Sequence, residues 1–442
     1  GRDSLSSHSN SGSHERAGSS CFHYLQHRPV WASKARASLV GSGFAHVHSS
    51  KKQPPLGSVQ RFAENPQKKL TRELSTATSA QAVLSVLEQE DMYKLNEFHI
   101  GAAFTRLAKH KYTFTSAVRE SPVLRKVTAR LQQIMDTDDG LDARGCANVF
   151  WSIAALQSET PELQELLPKL IENAKFTAPY MNAQGVSNIV WACAKSSLSS
   201  SQLRNLLPPM LERLVDRADS LKPQDIANCI WASAKLRTDA PELLEVIPVL
   251  LEMAEEKAQD FKAQDLSNVI WSSGILRQQA PELQNILPAL VPELPKIMDD
   301  MTTQALSNAA WGLALCEYKD VEFMQDAASR LAERASSMGK NNLLLDLPQL
   351  VCALAKLGMH NSALLEATST HLSTVLKKSV DWTLCSLVWS YGKLDPNRHF
   401  AEFQDSLAKE VKRRRLSAEE VESSQLGPQD WAGANRSRTD HR

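Results

Sequence analysis

Lys262-Ala-Gln-Asp-Leu-Ser-Asn-Val-Ile-Trp-Ser-Ser-Gly-Ile-Leu276 lies 40 residues after Lys222-Pro-Gln-Asp-Ile-Ala-Asn-Cys-Ile-Trp-Ala-Ser-Ala-Lys-Leu236, and the two align place for place. The same period carries Trp151, Trp191, Trp231, Trp271 and Trp311, each with an Asn three places earlier: Asn148, Asn188, Asn228, Asn268 and Asn308. Five of the nine tryptophans share this frame, and a fixed period of this length signals an array of supersecondary units.

Counting from each Trp, the residues five places before (Cys146, Val186, Ile226, Leu266, Leu306) and one place before (Phe150, Val190, Ile230, Ile270, Ala310) are apolar and share a helical face. Four before stand Ala147, Ser187, Ala227, Ser267 and Ser307; three after stand Ala154, Ala194, Ala234, Gly274 and Ala314. These small residues let a neighbouring helix come close, with the indole expected to fill the space between units. Gln184, Gln224, Gln264 and Gln304, with Asp225 and Asp265, fall in the first turn, and Pro223 suits the first helical position.

A second helix opens at Pro161, Pro241 and Pro281, and a further proline follows at Pro168, Pro248 and Pro288, with Pro208 matching in the other unit. Proline inside a helix removes a bond and breaks or kinks it. Each unit therefore reads as helix, turn, broken helix.

The pattern fades outward. Thr105 takes the Trp place in a worn copy over 95–135, Cys352 takes it in Leu347–Leu357, and Trp389 restores it in Cys385–Leu394. Ser417 and Glu420 form a capping box that opens one more first helix. The expected fold is all-α: an α-solenoid of about eight helical hairpins, irregular at its ends. The expected organisation is a disordered tail with a possible organellar transit segment over 1–75 and a degenerate N-terminal cap over 76–140. Five regular units over 141–335, degenerate units over 336–426 and a disordered tail over 427–442 complete it.

The 442 residues have zero formal net charge, which hides an asymmetry: residues 1–72 hold eleven Lys/Arg against three Asp/Glu. That stretch is rich in Ser, Gly and His and has no hydrophobic period, so it reads equally as an organellar leader or a disordered tail. The chain begins with Gly, so the natural start is expected upstream. No apolar run is long enough to span a membrane. The seven cysteines include no Cys-x-x-Cys pair and read as small apolar fillers.

The core Pro-Gln-Asp-Ile-Ala-Asn-Cys-Ile-Trp-Ala-Ser-Ala-Lys-Leu of residues 223–236 resembles the octotricopeptide repeat, a family with units of 38–40 residues. The resemblance is strongest over 220–280 and extends over 140–320. It implies an α-solenoid that binds single-stranded RNA in a mitochondrion or chloroplast and acts in transcript processing, stability or translation. Many such proteins end in a RAP domain; no strand–helix alternation follows residue 395, so that module is not expected within this chain.

The indole column could stack on bases, but an indole on the small-residue face reads first as core. The Asn column could read base edges, or bond the backbone of the adjacent unit as an internal ladder. The Gln column could face a ligand or cap the helix. Positions two after the Trp (Ile153, Cys193, Ser233, Ser273, Leu313) and four after (Ala155, Lys195, Lys235, Ile275, Leu315) vary, as a base code must. Phosphate contacts are expected from Arg144, Lys195, Lys222, Lys235, Arg237, Lys262 and Arg277, which recur near one end of the first helix, and from the run Lys412, Arg413, Arg414 and Arg415. A helix end favoured by its dipole explains that run equally.

Residues 141–300 carry 21 Asp/Glu against 14 Lys/Arg, which opposes RNA binding and suits the alternative of an armadillo- or HEAT-like protein–protein scaffold. Glycine-rich phosphate loops, metalloprotease and nucleophile-elbow motifs are missing, and no histidine falls in the five regular units. The chain is expected to be non-catalytic, with no cofactor or metal. Its expected partner is a single-stranded organellar transcript, with protein partners in a ribonucleoprotein complex, and neither DNA nor membrane.

Overall fold

The computed structural model describes residues 65–137 and 140–427, all within one unit spanning Gln60–Arg442. These residues are all-α, with no strand among them. The expected leader over 1–64 and tail over 428–442 lie outside the described residues.

Two layers of helices alternate along the chain. The first layer holds Pro66–Thr76, Glu97–Lys109, Ala143–Ala155, Ala183–Lys195, Pro223–Lys235, Ala263–Ile275, Thr303–Leu315, Lys340–Lys356, Asp381–Leu394 and Ala418–Ser423. Each of these packs on the one before and the one after. The second layer includes Leu167–Thr177, Ser200–Asp216, Ile247–Glu256, Val321–Arg334 and Ala401–Arg414. The tryptophan period thus marks successive members of the first layer.

Residues 66–76 correct the expected boundary at 75. Asn65 caps this helix through the Gln67 N–H, Pro66 occupies its first turn, and Leu70 and Leu74, four apart, are buried. Gly427 likewise belongs to the folded part, packing against the Trp311 ring.

The proline-broken second helix is found as read. Pro161–Leu166, Pro241–Val246 and Pro281–Ile286 are 3-10 turns that feed α-helices starting at Leu167, Ile247 and Leu287, each with proline at its second residue. Pro292 and Pro295 break the last of these again, into Leu287–Leu290 and Leu294–Ile297. Ser200–Asp216 departs from the pattern: it runs unbroken through Pro208 and Pro209.

Small residues set the joints of the first layer. The residues four before each Trp are all buried. A Cβ built on Gly274 would stand 2.7 Å from the Gly312 carbonyl oxygen, and one on Gly312 would collide with the Ile270 carbonyl and Trp271 Cα. Hydroxyls at the same joints bind an acidic residue six places before the next Trp position. Ser187 Oγ donates to Asp225 Oδ1 at 2.9 Å, and Ser307 Oγ donates to the Asp346 carbonyl at 2.9 Å. Thr303 Oγ1 adds a bond to Asp346 Oδ2 at 2.8 Å.

Gly312→Ala should destabilise the protein by about 2–3 kcal/mol, because the added methyl meets backbone that cannot yield. Gly392→Ala, which meets nothing within 4 Å inside the helix Asp381–Leu394, should be neutral or stabilise by about 0.5–1 kcal/mol. Chemical denaturation of the two variants beside the parent reads the contrast.

Burial pushes the Asp346 carboxyl up to about 6, against the opposing Thr303 hydrogen bond. The folded state therefore holds this proton more tightly than the unfolded chain. Its contribution is complete below about pH 4 and is lost as pH rises to about 6. Asp346→Asn should raise the melting temperature above pH 6, by up to about 3 kcal/mol of stability, and change little at pH 4. Thermal melts across that range check the sign.

Candidate nucleic-acid interface

One stripe of the first layer is partly open. It contains the residues seven before, three before and at the Trp, and then four after, spaced four, three and four apart so that they rise along one helical face. In the helix Ala183–Lys195 these are Gln184, Asn188, Trp191 and Lys195; in Pro223–Lys235 they are Gln224, Asn228, Trp231 and Lys235. Ala143–Ala155 gives Arg144, Asn148, Trp151 and Ala155; the next two helices give Gln264, Asn268, Trp271, Ile275 and Gln304, Asn308, Trp311, Leu315. Arg144 and the four glutamines are exposed, as are Lys195 and Lys235; the asparagines are half-buried; Ala155, Ile275 and Leu315 are buried.

The indoles correct the expectation of core packing. Trp151, Trp191, Trp231 and Trp271 are only half-buried, so one part of each ring meets solvent. They still join neighbouring helices: the Trp151–Trp191 and Trp191–Trp231 ring centroids lie 6.1 and 6.2 Å apart, with interplanar angles of 34° and 28°. Trp311 is different. It is fully buried, edge-on to Trp382 at 6.4 Å, and Gly427 packs over it. Trp382 Nε1 donates to the Ser424 carbonyl at 2.8 Å, which holds this C-terminal turn in place. The open part of the indole column thus runs from Trp151 to Trp271.

The expected Asn ladder to the backbone of the adjacent unit does not form among the described residues; one side-chain bond reaches this column instead. Gln349 Nε2 donates to Asn308 Oδ1 at 3.0 Å. The amides of Asn148, Asn188, Asn228 and Asn268, and those of Gln184, Gln224, Gln264 and Gln304, have no side-chain partner among the described residues and are free to bind a ligand. Asp225 and Asp265 are not: both are buried, and Asp225 Oδ2 accepts from the Lys222 N–H at 3.1 Å while Oδ1 takes Ser187. Both sit in the first turn of their helices, and Asp225 also joins two units. Burial, opposed by the Lys262 backbone bond, raises the Asp265 carboxyl above the usual range.

The positions two after each Trp cannot carry a code. Ile153, Cys193, Ser233, Ser273 and Leu313 are all buried, and the Ser233 and Ser273 hydroxyls donate to the Leu243 and Leu283 carbonyls of their own second helices. The expected single cluster of cations also divides. Arg144, Lys222 and Lys262 stand at the start of the first helices, whereas Lys195, Lys235, Arg237 and Arg277 stand at their ends, about 20 Å away for a 13-residue helix. Arg237 and Arg277 bind the carbonyls of Ala234 and Gly274, which fixes them at the helix C-termini. Lys235 Nζ lies 6.0 Å from the Trp231 ring centre, and desolvation, with the like charges of Lys195 and Arg237, lowers its ammonium below the usual lysine range.

The acidic excess sits elsewhere. Between 141 and 300, only Asp142, Asp225 and Asp265 belong to first helices or their caps, and none of them lies on the stripe. Asp142 caps the Gly145 N–H at 2.6 Å.

The basic run is committed to the fold. Arg413 and Arg414 both bind the buried Glu410 carboxylate, holding it down at about 2, and Arg414 also binds Asp381 and the carbonyls of Ser379 and Lys377. Arg415 ends the helix in a left-handed conformation. The phosphate reading of Arg413 and Arg414 therefore gives way to the helix-end reading. Among the described residues no group of His, Cys, Asp and Glu is arranged to hold a metal, no helix is long and apolar enough to cross a membrane, and five of the six described cysteines are buried thiols.

No family model matches this chain, and no curated protein matches it.

Arg414→Ala should cost about 2–3 kcal/mol, since it strips a partner from buried Glu410 while Arg413 remains. Lys412→Ala should cost less than about 0.5 kcal/mol. Urea titrations of both variants separate the structural arginine from the exposed lysine.

Proposed function

We propose that this chain is a single-stranded RNA-binding α-solenoid of about eight helical hairpins, acting without catalysis of its own in organellar RNA processing, stability or translation. The observation that carries the reading is the open stripe: unpartnered amides, half-exposed indoles and lysines, with no carboxylate among them. The octotricopeptide-like core supports the same partner and compartment.

The stripe fits an unpaired strand in three ways. Indole faces stack on any base, lysines hold phosphates, and free amides both donate and accept at base edges. The ring spacing of 6.1–6.2 Å exceeds the roughly 3.4 Å rise of stacked bases, so bases facing successive indoles would be splayed, one per unit. With Trp311 sealed, the open column offers four such places. The acidic second layer favours the protein-scaffold reading on that opposite face, where it is compatible with RNA on the stripe.

Affinity for pooled organellar single-stranded RNA should rise with oligonucleotide length at least up to about four nucleotides, one per open indole. Lys195→Ala with Lys235→Ala should flatten the dependence of log affinity on log salt by about 1.4, and Trp231→Ala should weaken binding about tenfold. Fluorescence anisotropy at several salt concentrations measures all three. No binding at low salt, together with partners that survive ribonuclease in a pull-down, would turn the reading to the scaffold.

A further inference from the structure

We propose that a notch at the N-terminal end of the stripe holds one nucleoside monophosphate unit, the end nucleotide of the bound strand. This rests on the RNA reading above and names where the strand terminates.

The helix Glu97–Lys109 keeps the frame of the stripe but not its side chains. Phe98 stands at the Gln place, Ala102 at the Asn place, Thr105 at the Trp place and Lys109 at the Lys place. With no indole at 105, a cavity of about 240 Å³ opens between this helix, Pro66–Thr76 and Ala143–Ala155. That is below the roughly 300–1,000 Å³ of drug-sized sites and suits a single ring system.

Part of its polar lining is already spent: the Thr71 and Ser75 hydroxyls donate to the Gln67 and Thr71 carbonyls and Arg106 Nε to the Ala77 carbonyl. The buried Thr105 Oγ1 has no hydrogen-bond partner. The Asn148 amide, the Lys109 ammonium and the Arg144 guanidinium also lack partners among the described residues, and all line the cavity. The other acid in its wall besides Glu97 is Asp142, already spent on the Gly145 N–H. Phe98, 56% exposed, offers an aromatic face at the rim.

A nucleotide uses this set completely. The base takes the aromatic face and the space the indole vacates, with Thr105 and Asn148 at its edge. The phosphate takes Lys109 and Arg144. Beyond the notch only Pro66–Thr76 follows in the described first layer, and it supplies the far wall through Thr71 and Ser75. Among the described residues the column of stripe side chains ends at this notch, and the strand's end nucleotide is placed there. A free nucleoside monophosphate has the same chemistry, and the test separates it from a strand end.

Full-length protein would be crosslinked to single-stranded RNA decamers carrying 4-thiouridine at the first, middle or last position, and the crosslinked peptides mapped. Crosslinks to 97–109 should come from one terminal position only. Thr105→Trp, which fills the notch, and Arg144→Glu should each weaken RNA binding about five- to tenfold, with parental helicity and melting. Arg144→Glu leaves the cavity's packing alone, so it answers if Thr105→Trp misfolds. AMP, CMP, GMP and UMP form the second arm, read by thermal shift.

Tight RNA binding with no terminal crosslink at 97–109 and no loss in either variant overturns the notch and leaves the stripe standing. No RNA binding, but a monophosphate shift abolished by Arg144→Glu, overturns the strand end and the RNA reading together, and leaves a free-nucleotide site. Neither RNA nor monophosphate binding overturns both.

Discussion

The close approach of consecutive first-layer helices is the constraint on which everything else depends. Small residues four before and three after each Trp let the helices come close, and at the joint where Gly274, three after Trp271, meets Gly312, one after Trp311, neither glycine tolerates a Cβ. Once helices sit that close, the larger side chains between those columns have only two destinations. The apolar ones five and one before the Trp turn inward. The Gln, Asn, Trp and Lys columns are left on the remaining face, where rings from neighbouring helices come within 6.2 Å. The stripe is thus a by-product of tight packing, and its regular spacing follows from the regular joints.

Charge follows the same logic. A joint this tight accepts a carboxylate only where hydroxyls and N–H groups meet it, as at Asp225 and Asp346. Other acids are displaced to the second layer and its turns. A chain whose regular units are net acidic can in this way present a surface without carboxylates, and whole-segment charge says little about the face that would meet a partner.

The sequence made the helices, their prolines, their caps and the period plain, because each has a local cause: Pro223 at a helix start, the Ser417–Glu420 box, a four-residue apolar step. The face of the indoles was also within reach, since Gln, Asn, Trp and Lys at steps of four, three and four must share one side of a helix. It was missed because an indole beside small residues reads as core, and the half-exposed ring is a compromise between the two. The helix-end role of Arg413 and Arg414 was legible beside the phosphate one, but the partner Asp381 was not, since it lies 33 residues from Arg414 and only the fold brings it there. The seal over Trp311 was equally hidden: it comes from a turn at 424–427 that no periodicity marks.

Because each first-layer helix rests chiefly on its neighbours in that row, with Trp311 also reaching Trp382 one helix further on, cohesion is passed hand to hand along the chain. Opening costs least at the two extremities, where one neighbour is missing, and most at the centre. The stacked trio Trp151, Trp191 and Trp231 lies well inside those extremities. Fraying at either end therefore leaves the middle of the indole row intact, and its half-exposed rings are held in place until late on warming.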